Sequence, residues 1–179
     1  FQDLGIGLAS VRAGNVIGGG DWADDRLIPD ILRSFERNKT VMIRNPKAVR
    51  PWQHVLEPLS GYLILAQNLY INPGNFSEGW NFGPNEKDVK SVDWILDKIS
   101  AKWPYSSWKS DQSFSPHEAG FLKLDISKAK SRLSWKPVWG LSYTLEKIID
   151  WHKSWLSEED MQMVCLKEIK EYMNTMEKI

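Results

Sequence analysis

Side chains that suit a pyrophosphate ligand occur close together in the first third of the chain. Arginine forms bidentate hydrogen bonds with phosphate oxygens, asparagine can orient a bound group, and an indole plane stacks on a base or a sugar. These residues lie on segments predicted to follow strands, where binding residues gather. The pattern predicts one anion-binding site, although each arginine taken alone also fits a solvated surface. The residues are Asn15, Trp22, Arg26, Arg44, Arg50 and Trp52.

The glycine-rich stretch RAGNVIGGGDW, at positions 12–22, matches neither of the common phosphate-binding loops. Gly18 and Gly20 form a Gly-x-Gly pair, but Ala23 stands where a dinucleotide-binding turn needs a third glycine. A nucleotide P-loop needs Gly-Lys-Ser/Thr, and the negative charge of Asp21 would repel a phosphate. We therefore predict a close-approach turn at the lip of a cleft, with a flexible turn that leaves a strand as the alternative.

The composition argues against several classes of partner. The 179 residues include 23 basic and 23 acidic side chains, and this formal charge of zero predicts no surface for nucleic acid or for an anionic membrane. A single cysteine, Cys165, allows no intramolecular disulfide and no cysteine metal site, which favours a cytoplasmic location. The chain begins at Phe1 without a secretory signal, and its apolar runs are too short for a membrane span. We expect a piece of a longer protein.

Hydrophobic patterning predicts the elements that position these side chains. The apolar run 6–11 is bounded by glycine and predicts a strand buried on both faces of a parallel sheet. Apolar residues at helical spacing predict a helix from Leu27 to about Asn38, followed by a short strand at 40–44. The segment 45–55 contains two prolines and predicts a loop that leads to an extended stretch.

Helices dominate the elements predicted after residue 57. The last helix begins with Ser157 and has Asp160 three residues later, a capping-box arrangement. Because helices outnumber strands and no β-α-β series precedes the first strand, the pattern is typical of the latter half of an α/β protein. The predicted elements are a helix from 58 to a break at 72–75, a strand at 79–83, a helix at 92–103 capped by Ser91, a loop at 105–120, a strand at 121–125, a helix to Leu133 capped by Asp125, and helices at 145–156 and 157–176.

Five segments carry a resemblance to a known family. VRAGNVIGGGDWADDRLIPDI (11–31) and VMIRNPKAVRPWQHVLEPLSGYLILA (41–66) are similar to the CDP-glucose 4,6-dehydratases, nucleotide-sugar enzymes of the extended short-chain dehydrogenase/reductase superfamily. These two segments are long and specific to that family. EGWNFGP (78–84), HEAGFLKLDISKAKSRLSWKPVW (117–139) and TLEKIIDWHKSW (144–155) are shared with dTDP-glucose dehydratases and epimerases.

The resemblance runs from about Gly5 to Leu156 and implies a fold class. It implies an α/β fold, the C-terminal part of a Rossmann-type extended short-chain dehydrogenase/reductase, which is mainly the helix-rich substrate-binding lobe with a few short strands. Residues 1–20 would end the dinucleotide-binding core, 21–156 would form the substrate-binding lobe, and 157–179 would add a C-terminal helix.

The resemblance also implies a reaction that borrows a hydride. In this family NAD takes a hydride from C4 of the glucose, a proton leaves C5, water leaves C6, and the hydride returns at C6. CDP-glucose thereby becomes CDP-4-keto-6-deoxyglucose, a lyase reaction of deoxysugar and lipopolysaccharide biosynthesis. The implied cofactor is NAD, no metal is implied, and the complete enzyme is expected to be a homodimer.

The family's substrate contacts carry over to five positions of this sequence. Asn15 would contact the substrate near its phosphates, and Arg26 and Leu27 would lie along the nucleotide. Arg50 matches the arginine that clamps the diphosphate, which suits its planar guanidinium. Ile43 stands where relatives place a residue against the base.

Five further positions carry weaker expectations. Asn81 would lie on the same side as the base contact, and the strand end with Ala13, Gly14 and Val16 would pass near the nicotinamide. Related dTDP-sugar enzymes hold the diphosphate with an arginine in the segment that matches HEAGF. His117 stands in that segment here and is the candidate to replace it.

The family's catalytic parts are expected to lie outside this chain. They are a glycine-rich turn for NAD and a Tyr-x-x-x-Lys pair, in which the lysine lowers the tyrosine pKa so that tyrosinate can take a proton. We expect no catalytic residue and no such pair here, so that the chain alone is inactive. We also expect the strand at 6–11 to expose an apolar edge in the isolated chain.

Two other functions stay open. One is a nucleotide-sugar epimerase or decarboxylase, which would use the same class of ligand for another reaction. The other is a non-catalytic interaction module, in which the apolar faces of the last two helices mediate assembly. The histidines outside these motifs are expected to be structural: His54 as a hydrogen-bonding residue and His152 as an exposed helix residue.

Overall fold

The computed structural model describes residues 4–104, 106–111 and 120–178. These residues form short strands and helices, and the strands make up three small sheets. The helices are α1 (Leu27–Glu36), α2 (Leu56–Ile71), α3 (Pro73–Phe76), α4 (Val92–Ser100), α5 (Ser127–Leu133), α6 (Leu141–Leu156) and α7 (Met161–Met176). The strands are β1 (Ser10–Ala13), β2 (Asn15–Ile17), β3 (Val41–Ile43), β4 (Val49–His54), β5 (Gly79–Phe82), β6 (Val89–Ser91) and β7 (Trp108–Ser110).

A three-stranded sheet contains several of the predicted binding residues. Its central strand β4 pairs in parallel with β2 through Trp52–His54 and antiparallel with β6 through Val49–Pro51. The two pairings are staggered, so Pro51 faces a neighbouring strand on one side only. A proline has no amide hydrogen to donate, and this stagger lets β4 accommodate it.

The first hydrophobic core packs against this sheet. α1, α4 and α6 turn their apolar faces inward, and Ile31, Ile95 and Leu96 have no exposed surface. Burying a side chain of this size contributes about 1.5–3 kcal/mol. The buried members are Ile17, Ile28, Ile31, Leu32, Phe35, Val41, Ile43, Ala48, Trp52, Val92, Ile95, Leu96, Ile99, Leu141, Leu145, Ile148 and Ile149.

A second core lies beside a two-stranded sheet. β1 pairs in parallel with β5, and α2 and α5 pack near β5. Within the described residues, β1 has β5 as its one strand partner. The buried members of this core are Leu65, Trp80, Phe82, Ile126, Ala129, Leu133 and Trp135.

The first strand differs from its prediction. It begins at Ser10 rather than at residue 6, and the side chains of Ile6, Leu8 and Val11 are 47%, 59% and 41% exposed. The prediction of burial on both faces is wrong for this chain, because no other described element covers these side chains. An apolar run is buried on two faces only when neighbouring layers are present on both.

Three other segments also differ. The predicted loop at 45–55 contains β4, because pairing with β2 and β6 outweighs the local effect of its prolines. Part of the predicted loop at 105–120 forms β7, which pairs with β3. The predicted strand at 121–125 is reduced to one bridge between Phe121 and Val49, since no further partner continues the ladder.

The helix N-termini can be compared with the capping residues predicted from the sequence. Ser91 lies at the N-cap of α4, but its hydroxyl donates to Asp93 instead of capping the backbone. The prediction that Asp125 caps α5 is wrong by one residue: Ile126 is the N-cap, and Asp125 before it accepts a hydrogen bond from the Ser127 amide at 2.8 Å. At α7 the capping box is wrong: Asp160 is itself the N-cap and accepts from the amides of its second and third following residues at 3.0 and 3.2 Å.

The described residues also lack two kinds of feature. Not one of their helices combines the length and the apolar character needed to cross a membrane. In the same part of the chain, no group of three or more histidine, cysteine, aspartate or glutamate side chains is arranged to hold a metal ion.

Candidate functional site

One cavity brings together most of the predicted binding residues. It has a volume of about 590 Å³ and lies between the end of β2, the start of α1 and the strands β3 and β4. A space of this size accommodates a small organic ligand. Of the residues predicted from the sequence, the lining includes Gly14, Asn15, Val16, Arg26, Leu27, Ile43, Arg44, Arg50 and Trp52.

Arg50 is the most enclosed cation of the cavity. It lies on β4 opposite Lys90 of β6, and only 8% of its surface is exposed. Its Nη1 donates to the carbonyl oxygen of Val49 at 3.0 Å. Because a guanidinium has five N–H donors, it can make several such bonds at once.

Asn15 and Trp52 form a second part of the wall. They lie opposite each other in the β2–β4 pairing, which fixes their spacing. Trp52 is 4% exposed, and its indole N–H donates to the carbonyl oxygen of Lys90 at 3.0 Å. The tryptophan is therefore a rigid part of the sheet, and the half-buried Asn15 beside it provides a donor and an acceptor.

Arg26 forms the exposed lip of the cavity. It is the N-cap residue of α1, its side chain is 64% exposed, and its Nη1 lies 3.3 Å from Oδ2 of Asp21. Arg33 anchors the same loop by donating to the carbonyl oxygens of Trp22 and Ala23 at 2.9 and 3.2 Å. The loop is thus tied to α1 on one side.

Sequence reasoning did not foresee the acidic part of the lining. Asp21, Asp25 and Asp30 line the cavity together with Arg26, Arg44 and Arg50. Ionised carboxylates accept hydrogen bonds only, so they favour ligand groups that donate. The cavity therefore suits a ligand that carries both an anionic group and hydrogen-bond donors. A bare anion would be attracted by the arginines and repelled by the aspartates.

The glycine cluster approaches the protein itself rather than open space. A Cβ atom at Gly14 would overlap the carbonyl oxygen of Pro51, and one at Gly19 would overlap the indole ring of Trp151. Gly20 has a positive φ of 76° and would place a Cβ 3.2 Å from the same ring. Gly14 is needed for sheet packing, and Gly19 and Gly20 are needed for packing on α6. The predicted close approach of this turn to a ligand stays a prediction.

Three predicted residues are not part of this lining. Ala13 pairs with Phe82 in the β1–β5 sheet and does not line the cavity. Asn81 also lies outside the lining, and its side-chain amide donates to the carbonyl oxygen of Asp125 at 3.1 Å. His117 lies outside the described residues.

The two other histidines are buried. His54 has no exposed surface, accepts from the Leu56 amide at 3.3 Å, and lies 3.0 Å from Glu168, as expected of a structural residue. The prediction that His152 is exposed is wrong: it is 3% exposed and pairs with Glu36 of α1. Glu36 of α1 and the rings of Trp22 and Trp103 lie against His152 on this face of α6, which periodicity alone did not indicate.

The expectation of no Tyr-x-x-x-Lys spacing is also wrong. Tyr105 and Tyr143 each have a lysine four residues later, and Tyr105 lies outside the described residues. Tyr143 lies on α6, where its hydroxyl and the Lys147 ammonium both bond to Glu171. Burial and the hydrogen bond to Glu171 raise the Tyr143 pKa. This pair does not line the cavity and lacks the lowered tyrosine pKa that proton abstraction requires.

A buried carboxylate connects α2 to α7 and was missed by sequence reasoning. Glu57 has no exposed surface and accepts from the amides of Val138 and Trp139, the latter at 2.6 Å, and from the Tyr172 hydroxyl at 2.9 Å. Burial raises the Glu57 pKa, although these hydrogen bonds act in the opposite direction. The sequence signal was a glutamate at the start of an apolar helix, which capping also explains.

Comparison with known proteins shows which proteins the chain is similar to. No protein-family model matches the sequence. The chain is 59% identical over 175 residues to CDP-glucose 4,6-dehydratase of Salmonella typhimurium, an alignment that covers 97% of the chain and 49% of that protein. The resemblance to CDP-glucose 4,6-dehydratase is confirmed. The chain spans about half the length of this relative.

Solved structures confirm the fold class. UDP-glucuronic acid 4-epimerase from Bacillus cereus, in complex with UDP-glucuronic acid and NAD, matches 80% of the chain and 44% of its own length with a TM-score of 0.67 and 22% identity. dTDP-glucose 4,6-dehydratase from Bacillus anthracis, in complex with NAD, matches 82% of the chain and 44% of its own length with a TM-score of 0.64 and 18% identity. The chain therefore has the α/β fold of part of a Rossmann-type extended short-chain dehydrogenase/reductase.

Proposed function

We propose that the chain is the substrate-binding half of a CDP-glucose 4,6-dehydratase, which converts CDP-glucose to CDP-4-keto-6-deoxyglucose. The observation that carries the proposal is the shared cavity of Asn15, Arg26 and Arg50, residues matched to the family's substrate contacts. Identity of 59% to the Salmonella relative supports the CDP-glucose reaction over the epimerase and decarboxylase alternatives.

The arginines of the cavity provide the contacts for the diphosphate. Arg50 lies near the start of β4, within its pairing with β6, and is nearly buried, so little conformational freedom is lost when it binds a phosphate. Arg44 and Arg26 are exposed and add positive charge nearer the entrance. Asn15 orients an oxygen close to the same group, while Ile43 and Leu27 offer apolar surface to the base and the ribose.

The carboxylates of the cavity favour a cytidine sugar. Asp21, Asp25 and Asp30 accept hydrogen bonds, and a sugar has hydroxyl groups that donate. Cytosine also presents an amino donor where uracil and thymine present a carbonyl oxygen. A carboxylate near that edge attracts the amino group and repels the carbonyl, which gives a physical basis for preferring CDP over UDP and dTDP.

NAD is proposed as the cofactor of the complete enzyme, where it supplies the acceptor and donor of the hydride. Gly14 and Val16 line the cavity end and offer a small apolar wall with backbone groups, which fits a planar ring. They offer no phosphate-binding turn, since the glycine cluster packs on Pro51 and Trp151. The residues present therefore fit the nicotinamide end of the cofactor, and the remaining contacts are assigned to the half that this chain does not cover.

Four further properties are part of the proposal. The chain alone binds substrate without turnover, because its described residues offer no activated tyrosine at the cavity. The single cysteine favours a cytoplasmic location. A homodimer is expected for the complete enzyme, and Ala13, Asn81 and His117 stay predicted contacts that require the rest of the protein.

A hybrid enzyme tests the function. The chain is joined to the half of the Salmonella relative that it does not cover, and the hybrid is incubated with NAD and CDP-glucose. We expect loss of one water from the sugar, detected by mass spectrometry, and a matched hybrid with Arg50→Lys should turn over more slowly. A hybrid that ignores CDP-glucose and acts on UDP-glucuronic acid would contradict the proposal.

One observation favours the interaction module as a second candidate. Helix α7 leaves a row of apolar side chains more than a third exposed: Met163, Leu166, Ile169, Met173 and Met176. A row of this kind is typical of a surface that contacts another molecule. Sedimentation that shows tight self-association, combined with no response to any nucleotide, would support this candidate over the dehydratase.

A further inference from the structure

An aromatic group on α6 supports the turn that leads to the cavity lip. We call this group the aromatic seat and define it as Trp151, His152 and Trp155. The Trp151 ring occupies the space beside Gly19, where a Cβ would overlap it, and Gly20 approaches the same ring. Trp22 follows the turn, and its ring centroid lies 4.5 Å from that of Trp155 and 6.1 Å from that of Trp151.

The aromatic seat is fixed by its own partners. Trp151 is 9% exposed, and its indole N–H donates to the sulfur of Cys165 on α7 at 3.3 Å. His152 is buried, bonds to Glu36 of α1, and lies with its ring centroid 5.8 Å from that of Trp103. A side chain held on several sides keeps one rotamer, so Trp151 and His152 present a rigid surface to the turn.

The glycine turn also restricts Arg26, the residue at the lip of the cavity. Asp21 accepts from the Ala23 amide at 3.1 Å and lies 3.3 Å from the Arg26 guanidinium. Arg26 is otherwise exposed, and a free arginine side chain loses rotamer entropy when it is immobilised. An aspartate held in place by the turn reduces that loss by restricting Arg26 before a ligand arrives.

We propose that the aromatic seat is a positioning element for the nucleotide-diphosphate site, and that it acts from outside the cavity through Asp21 and Arg26. No member of the seat lines the cavity. The inference rests on the proposed function, since it assigns the residues that preorganise the proposed ligand contacts. It explains why two consecutive glycines are packed against a tryptophan at this point of the chain.

Calorimetric titration with CDP tests the proposal in the full chain. Trp151→Leu should weaken CDP binding about tenfold when Arg26 is present and less than about twofold in an Arg26→Ala background, because coupled residues are not additive. Trp135→Leu is the matched control: it removes a buried tryptophan of the second core, away from the turn, and should leave CDP affinity within about twofold. Equal weakening with and without Arg26 would overturn the proposal.

Amide hydrogen exchange provides a second test of the aromatic seat, and this test needs no ligand. Trp22→Ala is a second variant that should fold even if Trp151→Leu does not, because Trp22 is 44% exposed. Both variants should speed amide exchange at residues 19–26, and Trp135→Leu should not. Unchanged exchange there in Trp22→Ala would refute the aromatic seat. Absence of CDP binding by the unaltered chain would instead refute the proposed function, and the binding role of the seat with it.

Discussion

Two of the three sheets differ in how completely this chain covers them. β2, β4 and β6 lie against a core closed by α1, α4 and α6, and Arg50 in β4 is nearly buried. Within the described part of the chain β1 pairs with β5 alone, and the apolar side chains of Val11 in β1 and of Ile6 and Leu8 before it stay exposed. We call the β2–β4–β6 sheet with its core the finished region. We call the β1–β5 sheet the unfinished region, because it has apolar side chains typical of a buried sheet and no layer among the described residues that buries them.

This difference indicates which properties belong to the chain itself. The cavity is built on the finished region, so ligand binding should survive in isolation. The β1 edge is suited to a further parallel strand, as expected for a protein whose relative is about twice as long. Contacts proposed for that edge, such as Ala13, should depend on the rest of the protein.

The largest expected effect is a loss of packing in the first core. Phe35 is 1% exposed and belongs to the apolar face of α1. Phe35→Ala should lower the free energy of unfolding by about 4 kcal/mol, because it leaves a cavity that the surrounding helices cannot fill. Urea denaturation measures the change. A cost below about 1 kcal/mol would show that this core is not closed as described.

The next effect concerns the buried carboxylate that connects α2 to α7. Glu57→Ala should cost about 3 kcal/mol, because it leaves the amides of Val138 and Trp139 and the Tyr172 hydroxyl without their acceptor. Glu78→Ala is the control, since that glutamate pairs at the surface with Lys128 and Arg132. Chemical denaturation of the two variants at one pH gives the comparison, and equal costs would contradict the assigned role.

The pH dependence of stability follows from the same group. Burial raises the folded-state pKa of Glu57 above its ordinary value of 4.5, so the folded chain binds this proton more tightly than the unfolded chain. The stabilisation from that proton is complete below pH 4.5 and is lost as the pH rises through the folded-state pKa. Unfolding free energies measured from pH 4 to 8 should therefore fall more steeply in the unaltered chain than in Glu57→Ala. Identical slopes would count against the raised pKa.

A smaller effect is expected at the ligand contact of the finished region. Arg50→Lys keeps the charge but removes the planar fork, and should weaken CDP binding roughly tenfold, or about 1.4 kcal/mol. Lys47→Ala is a suitable control, because Lys47 pairs with Asp93 and does not line the cavity. Calorimetry measures both variants. An unchanged affinity in Arg50→Lys would remove this arginine from the site.

The smallest effect should come from the unfinished region. Val11 is 41% exposed, so Val11→Ala should cost about 0.5 kcal/mol or less in the isolated chain. The same change in the hybrid with the other half of the Salmonella relative should cost more, since a neighbouring strand would then bury the side chain. Denaturation of the two pairs measures the difference, and equal costs would contradict the view that β1 continues into a larger sheet.

The sequence predicted the local elements better than their pairing. The spacing of Leu27, Ile31 and Phe35 determined α1, and the apolar row of α6 was equally clear. Strand β4 was missed because Pro51 is a local breaker, and only the staggered pairing with β2 and β6 shows why it is accommodated. Burial of the 6–11 run could not be judged either, since it depends on neighbouring layers.

The sequence predicted the positively charged residues of the site, but it did not predict the carboxylates and packing contacts around them. Arginine and asparagine types indicated an anion, and the resemblance located Asn15, Arg26 and Arg50 before their shared cavity was seen. The three carboxylates could not be assigned to the same space, because the loop at 21–25 has no periodic signal. The role of Gly19 could not be predicted either, because the ring that leaves no space for a Cβ there belongs to a tryptophan more than a hundred residues away in the sequence.

The central claim is that this cavity binds the diphosphate of a cytidine sugar. The most direct test is calorimetric titration of the chain with CDP, UDP and dTDP at one salt concentration, repeated with Arg50→Lys. The account predicts that CDP binds more tightly than the other two nucleotides and that Arg50→Lys weakens it. Equal heats for all three nucleotides, or none for CDP, would contradict the account.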